Sequence, residues 1–237
     1  EHVAEANYRF AGLRSLVRHL TPYAAGRAEL SVLDVGVGNG AICRAVSRTF
    51  AQRGVRVRWV GLDLHPVALR IARAELAGAG GLGGLVRGEA TRLPFSDGAF
   101  DVSTATLMMH HLVDADCVAT LSEMARVSRL AVVVSDLERG LVNYLGAQLL
   151  AMTLWRRNRL TRHDAGLSVR RSFTASELLA LFSQPRAGFE GLPAGGLRTE
   201  AYGKGAPTRH TRRRCTRIFC FTAFRTLRGW SAPFHRK

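Results

Sequence analysis

The chain has 237 residues, 47% of them apolar, enough to bury one large α/β core, and no apolar run approaches the about 20 residues that span a bilayer as a helix. Its formal net charge of +16 points to an anionic partner, yet ten of the Lys and Arg residues fall in 201–237, which holds no Asp or Glu. The basic character belongs to the C-terminal segment rather than to the body. No secretory leader pattern opens the sequence, which begins at Glu1, and Cys43, Cys117, Cys215 and Cys220 lack metal-ligand spacing. No metal site and reduced thiols in a cytoplasm are expected.

Residues 5–21 place Phe10, Leu13, Leu16, Val17 and Leu20 at helical spacing, with Arg9, Arg14, Arg18 and His19 on other faces, so an amphipathic helix is expected first. Val32–Gly40 then reads Val-Leu-Asp-Val-Gly-Val-Gly-Asn-Gly: a short buried strand, an acid, and three glycines at alternate positions. Such a run lets backbone approach a ligand closely, and Ala41–Gln52 follows as a helix whose free N–H groups face the loop. An ordinary tight strand-to-helix turn is the competing reading. The spacing is not the G-x-G-x-x-G of a dinucleotide fingerprint.

Val55–Asp63 alternates and then turns apolar, as a second strand entering a core would, and Pro66 suits the first turn of a helix running to Leu76. Gly84–Gly88 predicts a third strand followed by Glu89-Ala90. Phe100–Thr106 predicts a fourth, Asp114–Val127 a helix opened by Asp114 or Asp116, and Ala131–Ser135 a fifth strand ending in Asp136. Five alternations with short links predict an α/β fold, a doubly wound and mostly parallel sheet with helices on both faces.

Beyond Asp136 the pattern changes. Leu141–Trp155 predicts an apolar helix running into Arg156, Arg157, Arg159 and Arg162, expected as a lid over the sheet, with membrane-surface contact as the alternative. Thr174 with Glu177 predicts a capping box, and Phe173 with Leu178 a hydrophobic staple, for a helix ending near Gln184-Pro185. For 206–237 three readings stand: a last strand over Arg217–Phe224 with a basic rim, a nucleic-acid-binding tail, or a stretch foreign to the native fold.

Taken in order, Asp34-x-Gly36-x-Gly38-x-Gly40, Asp63, Gly88-Glu89-Ala90 before Leu93-Pro94-Phe95, Phe100-Asp101-Val102, Met109-His110-His111-Leu112 and Glu123-x-x-Arg126-Val127 resemble the motifs of class I S-adenosylmethionine-dependent methyltransferases. The resemblance covers residues 30–137. It is nearest the ubiquinone and menaquinone biosynthesis enzymes and their small-molecule, natural-product relatives. Asp136–Arg139, Arg162–Asp164 and Ser168–Phe173 resemble a bacterial subset of such enzymes often found beside polyketide or lipid-like natural-product genes.

The resemblance implies S-adenosylmethionine as cofactor, a Rossmann-like sheet, Gly36, Gly38 and Gly40 against the methionine moiety, Asp63 on the ribose, and Glu89 with Ala90 at the adenine. Asp34, Leu64 and Thr106 complete the expected cofactor set. Glu89 departs from the Asp more often found there, and capping of the Pro66 helix is the competing role for Asp63. His110, His111 and His163 are the candidate bases, with His163 and His111 carried forward as catalytic. For His110 and His111 the competing role is closing the turn after the fourth strand. For His163 it is a solvated pair with Asp164, and Arg139 and Arg162 read equally as surface charges or anion anchors.

One domain is expected over 1–237: an N-terminal helical cap (1–29), a cofactor-binding core (30–137), a helical lid (138–183) and uncertain strands or a basic tail (184–237). The expected reaction is methyl transfer to a small, largely apolar acceptor, a quinone, polyketide or lipid-like metabolite. Leu145, Leu149 and Met152 would shape its pocket. Three rivals are an RNA or protein methyltransferase using the basic segment 201–237, a non-catalytic nucleic-acid-binding protein on the same fold, and a nicotinamide-dependent oxidoreductase.

Overall fold

Strand β1 (Glu29–Val35) is buried along almost its whole length, which suits a parallel strand covered on both faces. In the computed structural model, which describes residues 2–78, 81–140, 170–184, 187, 197–202 and 218–224, β1 runs parallel to β2 (Arg56–Asp63) and to β4 (Phe100–Thr106). Val32 pairs with Trp59 on one side and Val102 on the other. Strand β3 (Leu82–Arg87) lies beyond β2, and β5 (Ser128–Leu137) beyond β4, both parallel. An antiparallel pair, β6 (Leu197–Tyr202) and β7 (Ile218–Phe224), completes the order β3-β2-β1-β4-β5-β7-β6. The expected last strand within Arg217–Phe224 is thus a member of the sheet.

Alternation along the strands feeds two cores. Leu30, Val32, Val57, Trp59, Ala131 and Val133 pack with residues of α1 (His2–Ala24), α2 (Ala41–Ala51) and α3 (Pro66–Leu76). Leu33, Val35, Leu62, Val132 and Val134 pack with α4 (Asp114–Val127) and with the helix Ala175–Phe182, here α5. The buried Trp59 indole N–H is satisfied by donating to Ser47 Oγ at 2.8 Å.

Pro66 takes the predicted place at the start of α3, and both halves of the Thr174–Glu177 capping box form on α5. Two local expectations differ. No side chain caps α4: Val113 holds the cap position, and Asp114 and Asp116 sit inside the first turn, where a negative charge complements the helix dipole. His19 is turned into the protein rather than lying on an outer face with Arg14 and Arg18. The apolar lid helix, His163 and most of the basic segment fall outside the described residues. Among the described residues no helix is long and apolar enough to cross a membrane.

Strand order reverses between β1 and β4, so the crevice beyond their carboxyl ends is where an open sheet of this kind takes a ligand. The glycine loop follows β1 and the turn Met109–His111 follows β4, one on each side of that reversal, with the end of β5 alongside β4.

Candidate active site

The glycine loop is fastened to the end of β2. The N–H groups of Gly36 and Val37 donate to Leu62 O at 2.8 and 3.0 Å, and Gly38 N–H donates to Asp63 Oδ2 at 2.9 Å. Asp63 Oδ1 accepts from His65 N–H at 2.9 Å, so one carboxylate ties the loop to the start of α3, whose cap position belongs to His65. Each oxygen keeps a further lone pair.

The glycines differ in what surrounds them. Gly36 and Gly38 have φ of 75° and 54°, the left-handed region that disfavours a side chain. A Cβ on Gly36 would meet Met108 Cγ at 2.6 Å, and one on Gly40 would press on Leu76 and Ala72 at 3.1–3.3 Å, whereas at Gly38 nothing lies within 4 Å. Gly36 and Gly40 therefore serve packing, and Gly38 alone borders open ground. Asn39 Oδ1 accepts from Ala41 N–H at 3.1 Å and occupies a free donor at the start of α2.

Asp34, expected among the cofactor contacts, is only 1% exposed and holds the loop from beneath. Thr104 Oγ1 donates to its Oδ1 at 2.7 Å and Cys43 Sγ to its Oδ2 at 3.1 Å. Burial pushes its carboxyl up to about 6, against the opposing pull of those two hydrogen bonds and with a smaller upward push from the Asp63 charge. Burial and the neighbouring Asp34 push the Cys43 thiol well above its ordinary range.

On the far side of Asp63 the surface is apolar. Leu64 is 51% exposed, with Val67 and Ile71 exposed one and two turns on, and Arg87 Nε donates to Leu64 O at 3.2 Å. Gly88 N–H donates to Asp63 O at 3.2 Å, which brings the end of β3 alongside; Glu89 is exposed and Ala90 half-buried.

The loop that follows is clamped. Arg126 donates to Leu93 O, Phe95 O, Asp97 and Glu123 at 2.7–3.0 Å, while Glu123 Oε2 accepts from Leu93 N–H at 2.7 Å. The Arg126 hydrogen bonds hold the Glu123 carboxyl below its ordinary range.

After β4 the backbone is strained. Thr106 is buried with no hydrogen-bond partner for Oγ1 among the described residues, and Leu107 has φ of 50°, held by its N–H to Ser135 O at 2.8 Å. The turn Met109–His111 then buries His110 against Asp136: the ring Nδ1 lies 2.7 Å from Oδ1 and the backbone N–H donates to Oδ2 at 3.1 Å. His111 is exposed, its ring 4.1 Å from that of His110. Asp136 lies one residue before the end of β5, 26 residues away, and sequence spacing alone gives no sign of this pair. Among the described residues no group of three or more His, Cys, Asp or Glu is arranged to hold a metal ion.

Residues 32–130 match the family model described as a methyltransferase domain. The chain is 38% identical over 120 residues to a demethylmenaquinone methyltransferase of Beutenbergia cavernae, covering 50% of this chain and 45% of that protein. It is 31% identical over 112 residues to a ubiquinone/menaquinone biosynthesis C-methyltransferase of Shewanella frigidimarina, covering 46% of this chain and 43% of the relative. It spans less than half the length of these relatives.

Among solved structures the fold is similar to the plantazolicin methyltransferase BamL in complex with a desmethyl analogue and SAH, with a TM-score of 0.65, 14% identity and coverage of 93% and 85%. A SAM-dependent methyltransferase from Aquifex aeolicus gives a TM-score of 0.57 at 15% identity, with coverage of 92% of each chain. Residues 32–130 thus match a methyltransferase-domain model, in a chain whose fold is that of solved class I S-adenosylmethionine-dependent methyltransferases.

Proposed function

We propose that this chain transfers the methyl group of S-adenosylmethionine to a small, largely apolar acceptor of quinone, polyketide or lipid-like type. The observation that carries the cofactor assignment is the pairing of Gly38 and Asp63 at the strand-order reversal: backbone open to approach beside a carboxylate with lone pairs to spare. Thr106 Oγ1, buried and unpartnered among the described residues at the end of β4, is a further polar group that a ligand would satisfy. The residues present fit the cofactor.

Gly38 would lie along the methionine moiety, Asp63 would accept the ribose hydroxyls, Leu64 would cover the adenine, and Ala90 with Glu89 would meet its edge. Asp34, Gly36 and Gly40 would shape the loop without touching the ligand. When bound, the cofactor supplies an electrophilic methyl group on a sulfonium that needs little activation, so the protein's own work is to align the acceptor and exclude water. The quinone methyltransferases among the relatives support an apolar acceptor.

Calorimetry with S-adenosylhomocysteine tests the site, with NAD as the control ligand. We expect a Kd in the micromolar range for the wild type and at least tenfold weaker binding for Gly38→Val and Asp63→Ala, a change of about 1.4 kcal/mol or more. Equal affinity for all three proteins, or tighter binding of NAD, would overturn the assignment.

A further inference from the structure

We propose that His110, oriented by Asp136, accepts the proton of an ionising hydroxyl on the methyl acceptor, which makes that acceptor a phenol, hydroquinone or enol; this rests on the methyltransferase reading above. Asp136 receives both the backbone N–H and the ring Nδ1 of His110. The backbone bond alone closes the turn. The second bond fixes the ring, and because the carboxylate accepts, the proton sits on Nδ1 and the lone pair on Nε2. None of the described residues hydrogen-bonds Nε2, although His110 is only 5% exposed.

Position supports the same role. His110 follows the end of β4 by four residues, at the crevice beside the strand-order reversal. Met108, two residues before the histidine, packs against Gly36, which brings this turn up to the loop assigned to the methyl donor. Leu107, immediately before, keeps a left-handed backbone that a bulky residue adopts only where surrounding contacts enforce it, and such strain gathers at functional sites.

Among the described residues, the titratable groups around the ring are Asp136 from β5, His111 from its own turn, and Cys117 of α4, whose Sγ reaches Met109 O. Burial, then Asp114, Asp136 and Asp116, push that thiol up to about 12, so it is uncharged at neutral pH. Asp136 is left as the buried charge that stabilises the imidazolium.

The step balances as follows. The acceptor O–H proton moves to His110 Nε2; an oxygen lone pair forms the new O–CH3 bond; the C–S bond breaks with its electrons staying on sulfur, leaving S-adenosylhomocysteine; the imidazolium then releases its proton to water.

His110→Asn separates base from strut, since its amide can still donate to Asp136 but offers nothing where Nε2 stood; His110→Gln does the reverse. Each protein is incubated with methyl-labelled S-adenosylmethionine and a panel of phenols of graded acidity, a naphthohydroquinone, a cyclic 1,3-diketone, an amine and a thiol. S-adenosylhomocysteine affinity and melting temperature are measured alongside. For His110→Asn we expect kcat on weakly acidic phenols to fall about 10²-fold or more, cofactor affinity to stay within about threefold, and the deficit to shrink on 4-nitrophenol, which ionises unaided.

A wild type that binds S-adenosylhomocysteine but methylates no hydroxyl compound overturns the proposal, as does a fully active His110→Asn. If both variants lose cofactor binding and melt far lower, the pair is a strut and the proposal falls. A wild type that fails to bind S-adenosylhomocysteine at all overturns the methyltransferase reading instead.

Discussion

Met108 lies against Gly36 so closely that a Cβ on that glycine would stand 2.6 Å from Met108 Cγ, whereas Gly38, two residues on, has nothing within 4 Å of its Cβ position. The two left-handed glycines should therefore answer substitution differently. Gly38→Ala meets backbone strain alone, about 1–2 kcal/mol. Gly36→Ala adds a clash with a packed side chain, about 1–3 kcal/mol more. Urea denaturation of both variants checks this, with calorimetry showing the opposite order for cofactor binding. Equal stability losses would mean that Met108 simply moves aside.

Asp34 supplies a pH signature. Its folded-state carboxyl is raised to about 6 from an ordinary value of 3.8, so protonation favours the folded state. Its contribution is fully present below the unfolded value, and is lost as pH rises from about 4 to about 6. The cost above that window is as much as about 3 kcal/mol, at 1.36 kcal/mol per unit. Asp34→Asn removes the titration, so its stability relative to wild type should climb between pH 4 and pH 7 and then level off. A stability difference independent of pH would place the Asp34 carboxyl near its ordinary value.

Much of this was legible because parallel strands carry their own signature. The runs Val32–Val35 and Phe100–Thr106 are apolar or small enough to be buried on both faces, and Pro66, Thr174 and Glu177 mark helix starts by local chemistry. What stayed hidden depends on contacts between distant segments. Nothing local says that Asp63 will hold Gly38 N–H, or that Asp136 will pin His110 rather than its neighbour His111. The Asp34 motif position suggested a ligand contact, but the Thr104 and Cys43 side chains that engage it come from β4 and α2. His19 looked polar by composition and is buried by tertiary packing.

Arg126 offers a test of the loop after Glu89-Ala90. Its guanidinium joins two carbonyls and two carboxylates, a planar fork that a lysine cannot reproduce. Because the side chain is partly exposed, the stability loss on Arg126→Lys should be modest, about 1–2 kcal/mol. The more specific expectation is local: amide exchange at Leu93, whose N–H is held by the Glu123 that Arg126 steadies, should speed up more than at Val102 in β4. S-adenosylhomocysteine should bind several-fold more weakly if this loop frames the adenine. Unchanged exchange at Leu93 would show that Glu123 needs no arginine.

The C-terminal pair gives the last prediction. Strand β7 lies between β5 and β6, with Thr222 opposite Val133 on one side and Arg198 on the other, so its backbone is paired along both edges. A proline at Thr222 removes a donor in a strand that has no free edge, a position prolines avoid. A loss of about 3 kcal/mol would lower the melting temperature by roughly 6–12 °C in a chain of this size. Truncation after Gly205 removes β7 outright, strips β6 of its one neighbour in the sheet and leaves β5 as an exposed apolar edge, so the melt should fall further and the protein should aggregate more readily. Salt-dependent RNA binding of the intact and truncated chains distinguishes a structural strand from a basic tail: a tail that binds phosphates shows affinity falling steeply with salt, and loses it on truncation. Thr222→Pro with an unchanged melt would remove β7 from the sheet.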